Sequence, residues 1–570
     1  MHWLLRRRGE RALESAGRGD GIDKVTGYVH AAYRQVGEPG AGNRWHDRVY
    51  RICDRLLRSR IGHKLPRWAR ERISLLLGYA LVFHQHELNK VWSLDDPLHN
   101  FTVPSDEHVE VPAVWVVELF PPSHYQSLVR AMEHNSWDKR RVWYGIGGPA
   151  NQAALDSSRT GAGYSWWRLG AVTDLSEGFA DPESVRRILP TQFSSVELRA
   201  VQVGAGLTAV VAKFTVRPEA GATLDGIWHE TQEPQVYRAK GRRPVAESRQ
   251  FAAYRRTQNA RREMHQAARD WVAGTCPGFF ADYHEEAPLL DLMLLKHYDP
   301  TTAASDRAEM GDPMRALGLT DYTVQHQTSA ALPGLLLEQV REELAPGLGS
   351  RRTWTLFGRY DTVIAKFGKQ LAGTAHDTRG LSYVVGETVS DFLVVLAGDC
   401  FVDTARSQTA VSRDRARVAH ERFRIRSLKA VRAEVLRMSL DLSTVQRDFI
   451  AFYSRSRWEH GHLSFLSDYS PAIRASLKKS GLVTHEPIKL SERLIANQLK
   501  QLQNLVDVDQ SYREIVSTAA SIGAAISASR LGRVAAVVAG AIFVVALSTL
   551  LMASFDPHAP LVELWHWLGL

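Results

Sequence analysis

Cysteine is scarce in this chain, and the sequence motifs of the commonest hydrolases are missing. The three cysteines, Cys53, Cys276 and Cys400, lie far apart and form no CxxC pair. This spacing argues against a disulfide framework and a cysteine zinc site, and it favours a reducing compartment. No HExxH, GxSxG or GKS/GKT motif occurs, so the usual signatures of zinc, serine and nucleotide hydrolysis are absent. The sequence therefore names neither a reaction nor a cofactor.

Long apolar runs are also scarce, and one segment alone is long enough to cross a bilayer. The run from Val534 to Phe555 has no charged residue, and as a helix it spans roughly 33 Å against a hydrocarbon core of about 30 Å. Arg530 and Arg533 precede it, no Lys or Arg follows it, and Trp565 and Trp567 suit the membrane interface. Because positive charge is retained on the cytoplasmic side, we predict a single-pass protein of the plasma (inner) membrane. Its N-terminal bulk is then cytoplasmic and its C-terminus extracytoplasmic, with no export signal at the N-terminus.

The rest of the chain has patterns of both helix and strand. They predict an α+β cytoplasmic region, a mixed sheet with helices, preceded by an α-helical N-terminal segment and followed by a long helical stalk and the transmembrane helix. Whether the α/β part is one domain or two stays open. The predicted regions are an Arg-rich helical region at 1–95, a linker at 96–112, a mixed α/β domain at 113–405, long coiled-coil-like helices at 408–533, the transmembrane helix at 534–555 and an interfacial tail at 556–570.

Several segments of the α/β region predict strands. Val196 to Val216 contains two β-rich runs separated by a glycine turn, which is typical of a hairpin. Thr353 to Phe367 and Leu381 to Phe401 suggest further paired strands. The sequence VVAKF at Val210 to Phe214 returns as VIAKF at Val363 to Phe367. This echo indicates either an internal duplication or the chance recurrence of strand-forming residues.

The C-terminal third predicts long helices that end in the membrane. Apolar residues between Val431 and Phe452 alternate in steps of four and three, the spacing of a coiled coil or of a helix packed lengthwise on a partner. A last helix from about Ser491 meets no proline before the membrane and, if continuous to Phe555, would form a rod about 100 Å long. Gly532, Ala536 and Gly540 lie four apart, which lets helix backbones approach closely in lipid. We expect a homo-oligomer that associates through this face. The alternative is that alanine and glycine are simply abundant in this sequence.

This layout, a cytoplasmic α/β domain followed by long helices that run into the membrane, resembles that of the CorA-type magnesium channels. The resemblance covers residues 408–555 by shape, and it implies a pentamer that conducts ions. Those channels carry Gly-Met-Asn after the first of two spans, whereas here Ala553, Ser554, Phe555 and Asp556 end a single span. No functional residue is transferred from that family.

Two segments are candidates for binding an anion such as a nucleotide or a lipid headgroup. A glycine-rich stretch could hold a phosphate on its backbone amides, and a basic segment at 235–270 mixes arginines with aromatic residues. The alternatives are a mobile loop and a solvated helix with paired charges, and neither segment is strong evidence for a nucleic-acid partner. The candidate residues are Gly145, Gly147, Gly148 and Arg159 in the first segment, and Arg242, Arg243, Arg255 and Arg256 in the second.

His84, His86 and Glu87 form a short cluster of metal-ligating residue types. Residues two apart on a helix point about 200° from each other, so the two histidines converge on a metal only where the backbone is extended. Surface histidines explain the same residues.

Three functions from different classes are consistent with these features. The preferred one is a non-enzymatic membrane-anchored protein whose cytoplasmic module binds or senses a ligand and whose span assembles subunits. The alternatives are a membrane-tethered enzyme acting on a phosphorylated or nucleotide substrate, and an oligomeric CorA-like ion-conducting protein.

Overall fold

The structure, a computed structural model, is a mixture of helix and sheet, as the sequence predicts at that level. Eleven of its strands form a single mixed sheet. The residues that it describes are 45–90, 102–137, 142–143, 146–147, 151–161, 165–178, 184–237, 245–247, 249–302, 314, 316–319, 324–340, 352–368, 377–421, 425–454, 464–481, 486–553 and 567–569.

Thirteen α-helices are described within these ranges. They are α1 (Trp45–Arg58), α2 (Arg60–Lys64), α3 (Arg67–Lys90), α4 (Tyr125–His134), α5 (Asn151–Thr160), α6 (Pro218–His229), α7 (Arg249–Thr275), α8 (Phe279–Asp282), α9 (Tyr360–Phe367), α10 (Thr378–Glu421), α11 (Ile425–Tyr453), α12 (Pro471–Lys479) and α13 (Leu490–Ala553), and a 3₁₀ turn, Pro122–His124, precedes α4.

The described strands form the large sheet and two small hairpins, β2–β3 and β8–β9. The large sheet has the order β15-β14-β11-β12-β13-β10-β1-β7-β6-β4-β5. The strands are β1 (Val109–Phe120), β2 (Val142–Trp143), β3 (Ile146–Gly147), β4 (Ser165–Asp174), β5 (Val185–Arg187), β6 (Phe193–Gln202), β7 (Thr208–Val216), β8 (Gln235–Tyr237), β9 (Val245–Glu247), β10 (Leu289–Leu295), β11 (Gln325–Thr328), β12 (Leu336–Gln339), β13 (Thr353–Arg359), β14 (Leu466–Tyr469) and β15 (Ile488–Lys489).

Helices cover both faces of the sheet at its centre. Nearly every residue of β1 is buried, as its mostly apolar sequence requires of a strand covered on both sides. On one face, the indole of Trp115 lies against Gly386 of α10. On the other face, Asp291 of β10 is paired with Arg261 of α7. The centre of the molecule is therefore a three-layer helix–sheet–helix arrangement with one hydrophobic core.

The two halves of the sheet have related connectivity. β1 pairs with the last strand of the antiparallel set β4–β6–β7, and β10 pairs with the last strand of β11–β12–β13. The first pairing is antiparallel and the second is parallel. VVAKF lies in β7, but VIAKF lies in helix α9. The duplication suggested by these five residues is therefore wrong, because they occupy different elements.

The segment Leu381 to Phe401 is helical, which corrects the prediction of a strand. It lies inside α10, and the side chains of this segment are largely buried between the sheet and other helices. The many valines of this segment favour a strand intrinsically, but such propensity is weak beside burial on a helical face. Thr353 to Phe367 is a strand for its first half and helix α9 for its second. The hairpin predicted at Val196 to Val216 is confirmed as β6 and β7.

The apolar residues of α11 that alternate in steps of four and three, here called the seam of α11, are buried from Val435 through Val445 to Phe452. The partners of α11 are α10 and α13 of the same chain, which agrees with a helix packed lengthwise. The stretch at 408–533 is not purely helical, however. β14 and β15 lie within it, and β14 pairs with β11 of the large sheet, so this stretch belongs in part to the α/β core.

The described N-terminal residues are helical, as predicted, and α1 packs on α3. The apolar run from Ile73 to Phe83 lies in α3 and is only partly buried. Leu75 and Leu76 are each 48% exposed, and Trp45 at the start of α1 is 66% exposed.

Candidate functional site

Helix α13 combines two environments in one unbroken element. Its segment Leu531–Leu550 has a mean hydropathy of 2.2 and no residue buried, and in the described part of the chain it is the one helix long and apolar enough to cross a membrane. Gly532, Ala536 and Gly540 are exposed along it. A methyl group added at either glycine would meet no atom within 4 Å.

The first turns of α13 are part of the core. Gln498 is almost fully buried; its side-chain amide donates to the carbonyl of Val395 in α10 at 2.6 Å, and its oxygen accepts from the Tyr453 hydroxyl at 2.6 Å. Farther along, Asp509 accepts a hydrogen bond from Ser439 of α11 at 2.7 Å. The part of α13 between Asp509 and Leu531 is roughly 33 Å long at about 1.5 Å per residue. The helix is continuous over 64 residues, as predicted, but its first turns lie in the core. The part between the core and the apolar segment is therefore about a third of the helix.

Two aspartates of α11 attach this helical layer to one edge of the sheet. Asp441 accepts from the backbone amide of Ser123, at 3.0 Å, and from its hydroxyl. Asp448 accepts from the amides of Gly206 and Leu207 in the β6–β7 turn, both at 2.7 Å. Because the two aspartates are seven residues apart, they lie on the same face of α11. The helix that packs on α13 is thus held to loops of the sheet by charge-assisted hydrogen bonds.

Ser123, His124 and Asp282 form a chain of side-chain contacts at the same edge of the sheet. The hydroxyl of Ser123 is 2.8 Å from Nδ1 of His124, and Nε2 of that ring is 3.3 Å from Asp282. A nucleophile, a base and an orienting acid have this order in hydrolases. Here, however, the Ser123 hydroxyl donates to Asp441 at 2.5 Å, and burial raises the pKa of that carboxyl. The cluster is better explained as a set of contacts that attaches α11 to the loop after β1. No sequence motif indicated this cluster.

The predicted anion residues of the glycine-rich stretch are only partly described. Gly147 lies in β3, and helix α5 begins shortly afterwards at Asn151, so a glycine-rich segment does lead into a helix. Arg159, at the end of that helix, donates to the carbonyl of Gly206 at 3.0 Å and lies over the Tyr125 ring. Its guanidinium is therefore used within the fold. Gly145 and Gly148 lie outside the described residues.

The basic segment divides into an exposed part and a buried part. Arg255 and Arg256 lie in α7, where Arg256 is exposed and 3.8 Å from Glu230. Arg261 and Arg269 of the same helix are buried against the sheet and are not available to a phosphate. Arg242 and Arg243 lie outside the described residues.

The other predicted sites are in helices or outside the described ranges. His84, His86 and Glu87 belong to helix α3, a backbone on which the two histidines diverge, and their side chains are not described. No group of three metal-ligating side chains occurs among the described residues. Arg530 and Arg533 lie in α13 just before and within the apolar segment. Trp567 is 83% exposed, and Trp565 lies outside the description.

Comparison with known proteins identifies no relative. No protein-family model, curated protein sequence or solved structure matches this chain.

Proposed function

We propose that this protein is a single-pass membrane protein, anchored by α13, whose cytoplasmic α/β domain binds or senses a ligand without catalysing a reaction. The observation that carries the proposal is the dual character of α13. Its first turns are buried in the core at Gln498 and Leu502, whereas Leu531–Leu550 is apolar and wholly exposed. In water that exposed surface is unfavourable, and a bilayer removes the cost.

The arrangement of the helices supports signalling between the domain and the membrane. α10 packs on the sheet, α13 is hydrogen-bonded to α10 through Gln498, and α13 continues without a break into the apolar segment. A shift of α10 on ligand binding would therefore move the membrane segment directly. Placement in the plasma (inner) membrane with the sheet in the cytoplasm follows from Arg530 and Arg533, under the positive-inside rule.

The anchor is tested by fractionating cells that express the full chain. We expect the protein in the membrane pellet, resistant to alkaline carbonate. The double variant Val538→Arg/Val545→Arg places two charges in the span, each costing about 2.5–3.5 kcal/mol on insertion, and should move the protein to the soluble fraction. Val508→Arg, at an exposed position before the span, is the matched control. Wild-type protein in the soluble fraction would contradict the proposal.

Orientation is tested with a membrane-impermeant maleimide on intact cells. The three native cysteines are buried, so introduced thiols give the signal. Trp567→Cys should react from outside, whereas Phe251→Cys, exposed on α7, should react only after lysis. The reverse pattern would place the sheet outside the cell.

Self-association of the span is a further part of the proposal. It rests on the exposed small residues Gly532, Ala536 and Gly540, which permit close helix contact in lipid. Light scattering in detergent should give a multiple of the 63.8 kDa chain mass. Gly532→Leu/Gly540→Leu should reduce the assembly, and Val538→Leu, about 200° away from Ala536, should not. A monomeric wild type would exclude both this assembly and the ion-conducting alternative, for which conductance in planar bilayers is the direct test.

A further inference from the structure

A strip of charged and aromatic residues lies on the sheet face beside the N-terminal half of α10. On the floor, Lys213 of β7 is the register partner of Glu197 in β6, and Arg199 follows two residues later. Because alternate residues of a strand share a face, all three point toward α10. The set, here named the Lys213 groove, comprises Trp166, Glu197, Arg199, Lys213, Tyr383 and Glu387.

Lys213 is buried without a close acceptor. Its residue is 9% exposed, and its ammonium is 3.8 Å from Oε2 of Glu197, beyond hydrogen-bond distance. Among the described residues, the carboxylate of Glu197 is the acceptor that faces this ammonium. An ammonium has three donors, and leaving them unused away from water is unfavourable. Burial, aided by Arg199 and Arg379, lowers the pKa of Lys213 although Glu197 opposes the shift.

Two aromatic rings flank the cations. The guanidinium of Arg199 lies 4.5 Å from the centre of the Trp166 ring, and the ammonium of Lys213 lies 5.6 Å from that of Tyr383. Trp166 is 50% exposed and Tyr383 is 48% exposed, although large aromatic side chains are usually buried. Arg199 is already bonded to Glu387 and Ser390, so Lys213 is the cation that can receive a negatively charged group while a planar ring stacks beside it.

We propose that the Lys213 groove binds a small aromatic anion, a planar ring that carries a phosphate or carboxylate group. The anionic oxygens accept hydrogen bonds from Lys213, while Arg199 stays bonded to Glu387 and Ser390 and contributes its charge. The ring stacks on Trp166 or Tyr383. Glu197, whose side chain is 43% exposed, turns toward solvent to admit the anion. Arg379, near enough to lower the pKa of Lys213, adds a third positive charge and favours an anion over a neutral ring.

This inference rests on the proposed function, since it supplies the ligand class that the cytoplasmic domain senses. The groove includes Tyr383 and Glu387 of α10, and the carbonyl of Val395 in the same helix accepts the hydrogen bond from Gln498 of α13. Occupation of the groove therefore acts on the helix that contacts the anchor.

Isothermal titration of the full chain in detergent tests the groove with four probes. AMP supplies a ring with a phosphate, 4-hydroxybenzoate a ring with a carboxylate, adenosine a ring without the anion, and inorganic phosphate an anion without a ring. We expect AMP or 4-hydroxybenzoate to bind at least tenfold more tightly than adenosine and inorganic phosphate, and the stronger of the two identifies the anionic group. Absence of binding by both aromatic anions at millimolar concentration would overturn the proposal.

Variants locate the site. Lys213→Met should weaken binding of the preferred probe at least tenfold, and Trp166→Ala about fivefold. Lys489→Met and Phe251→Ala, which change an exposed lysine and an exposed aromatic residue elsewhere, should leave affinity unchanged. Equal affinity of Lys213→Met and the wild type would refute the assignment.

A measurement on the wild-type protein tests the same site even if Lys213→Met does not fold. Reductive methylation followed by peptide mass spectrometry should show at least fivefold less modification of Lys213 when the probe is present, with Lys489 unaffected. Equal modification of Lys213 with and without probe would count against the groove. Membrane fractionation of the same preparation separates the two proposals, because a soluble protein that binds AMP refutes the anchor alone and a membrane protein that binds no aromatic anion refutes the groove alone.

Discussion

The buried ion pair between Arg261 of α7 and Asp291 of β10 gives the sharpest test of how the sheet is held to its helices. Both side chains are at most 1% exposed, and the guanidinium donates to both carboxylate oxygens at 2.8–3.0 Å. His265 and Thr355 also hydrogen-bond to Asp291. The carboxylate is therefore surrounded by donors, and this environment holds the pKa of Asp291 well below its ordinary value despite the opposing effect of burial.

Asp291→Asn keeps the size of the side chain but removes the negative charge. The guanidinium of Arg261 is then buried without a counter-charge, and loss of one partner of a buried pair costs about 3–5 kcal/mol. Since domains have a total stability of about 5–15 kcal/mol, we expect a large fall in the free energy of unfolding. Arg261→Met/Asp291→Asn removes both charges and should cost at least about 2 kcal/mol less than the sum of the single variants.

The assay is chemical unfolding of the full chain in detergent at pH 7, followed by circular dichroism. Glu71→Gln provides the control, because it breaks the exposed pair Arg67–Glu71 of α3, and such pairs contribute little. A loss below about 1 kcal/mol for Asp291→Asn, or additive effects of the two single changes, would refute the reasoning from buried charge.

Three further changes are predicted. Burial raises the pKa of Glu118 to about 8, so the fold keeps a proton that the unfolded chain releases near pH 4.3; wild-type stability should fall by up to about 1.4 kcal/mol per pH unit between those values. Glu118→Gln should remove this slope, and equal slopes in melting curves from pH 5 to 8 would contradict it. Gly204→Ala places a methyl 2.3 Å from the Asp448 carboxyl carbon and should cost about 1–3 kcal/mol, whereas Gly226→Ala, in open space within a helix, should be neutral or stabilising in the same denaturation assay. Gln498→Leu leaves buried polar groups unpaired and should lower the unfolding free energy by about 1–3 kcal/mol, while unchanged stability would argue against a tight joint between the anchor helix and the core.

Local patterns predicted the elements whose environment is uniform along their length. The seam of α11 has this character, and the structure has a helix there. Helix α13 passes through two environments, but its long run without proline was enough to predict one continuous helix. The prediction failed where one sequence suits two environments. Leu381 to Phe401 is rich in valine, and its burial between the sheet and other helices, rather than its own propensity, makes it helical.

The Lys213 groove could not be predicted because strand pairing creates it. Glu197 and Lys213 are brought together by the β6–β7 register, and Tyr383 arrives from a helix more than 150 residues later in the chain. In the sequence, Lys213 is one charged residue within an apolar strand, and such a residue gives no indication of its neighbours. The buried role of Arg261 was hidden in a similar way, because a run of arginines on a long helix has the same composition whether it faces solvent or core.

With α13 as the proposed membrane anchor, its unbroken backbone fixes how the sheet is rotated about the helix axis relative to the bilayer. An α-helix turns by about 100° per residue, so a single residue inserted between Asp509 and Leu531 would swing the whole domain by that angle about the axis of its anchor. Seven inserted residues make close to two full turns, so they would nearly restore the original rotation angle. They would also move the domain about 10 Å farther from the headgroups along the helix axis. Any partner that must meet both the bilayer and the sheet would therefore respond to insertion length periodically, with a repeat of 3.6 residues.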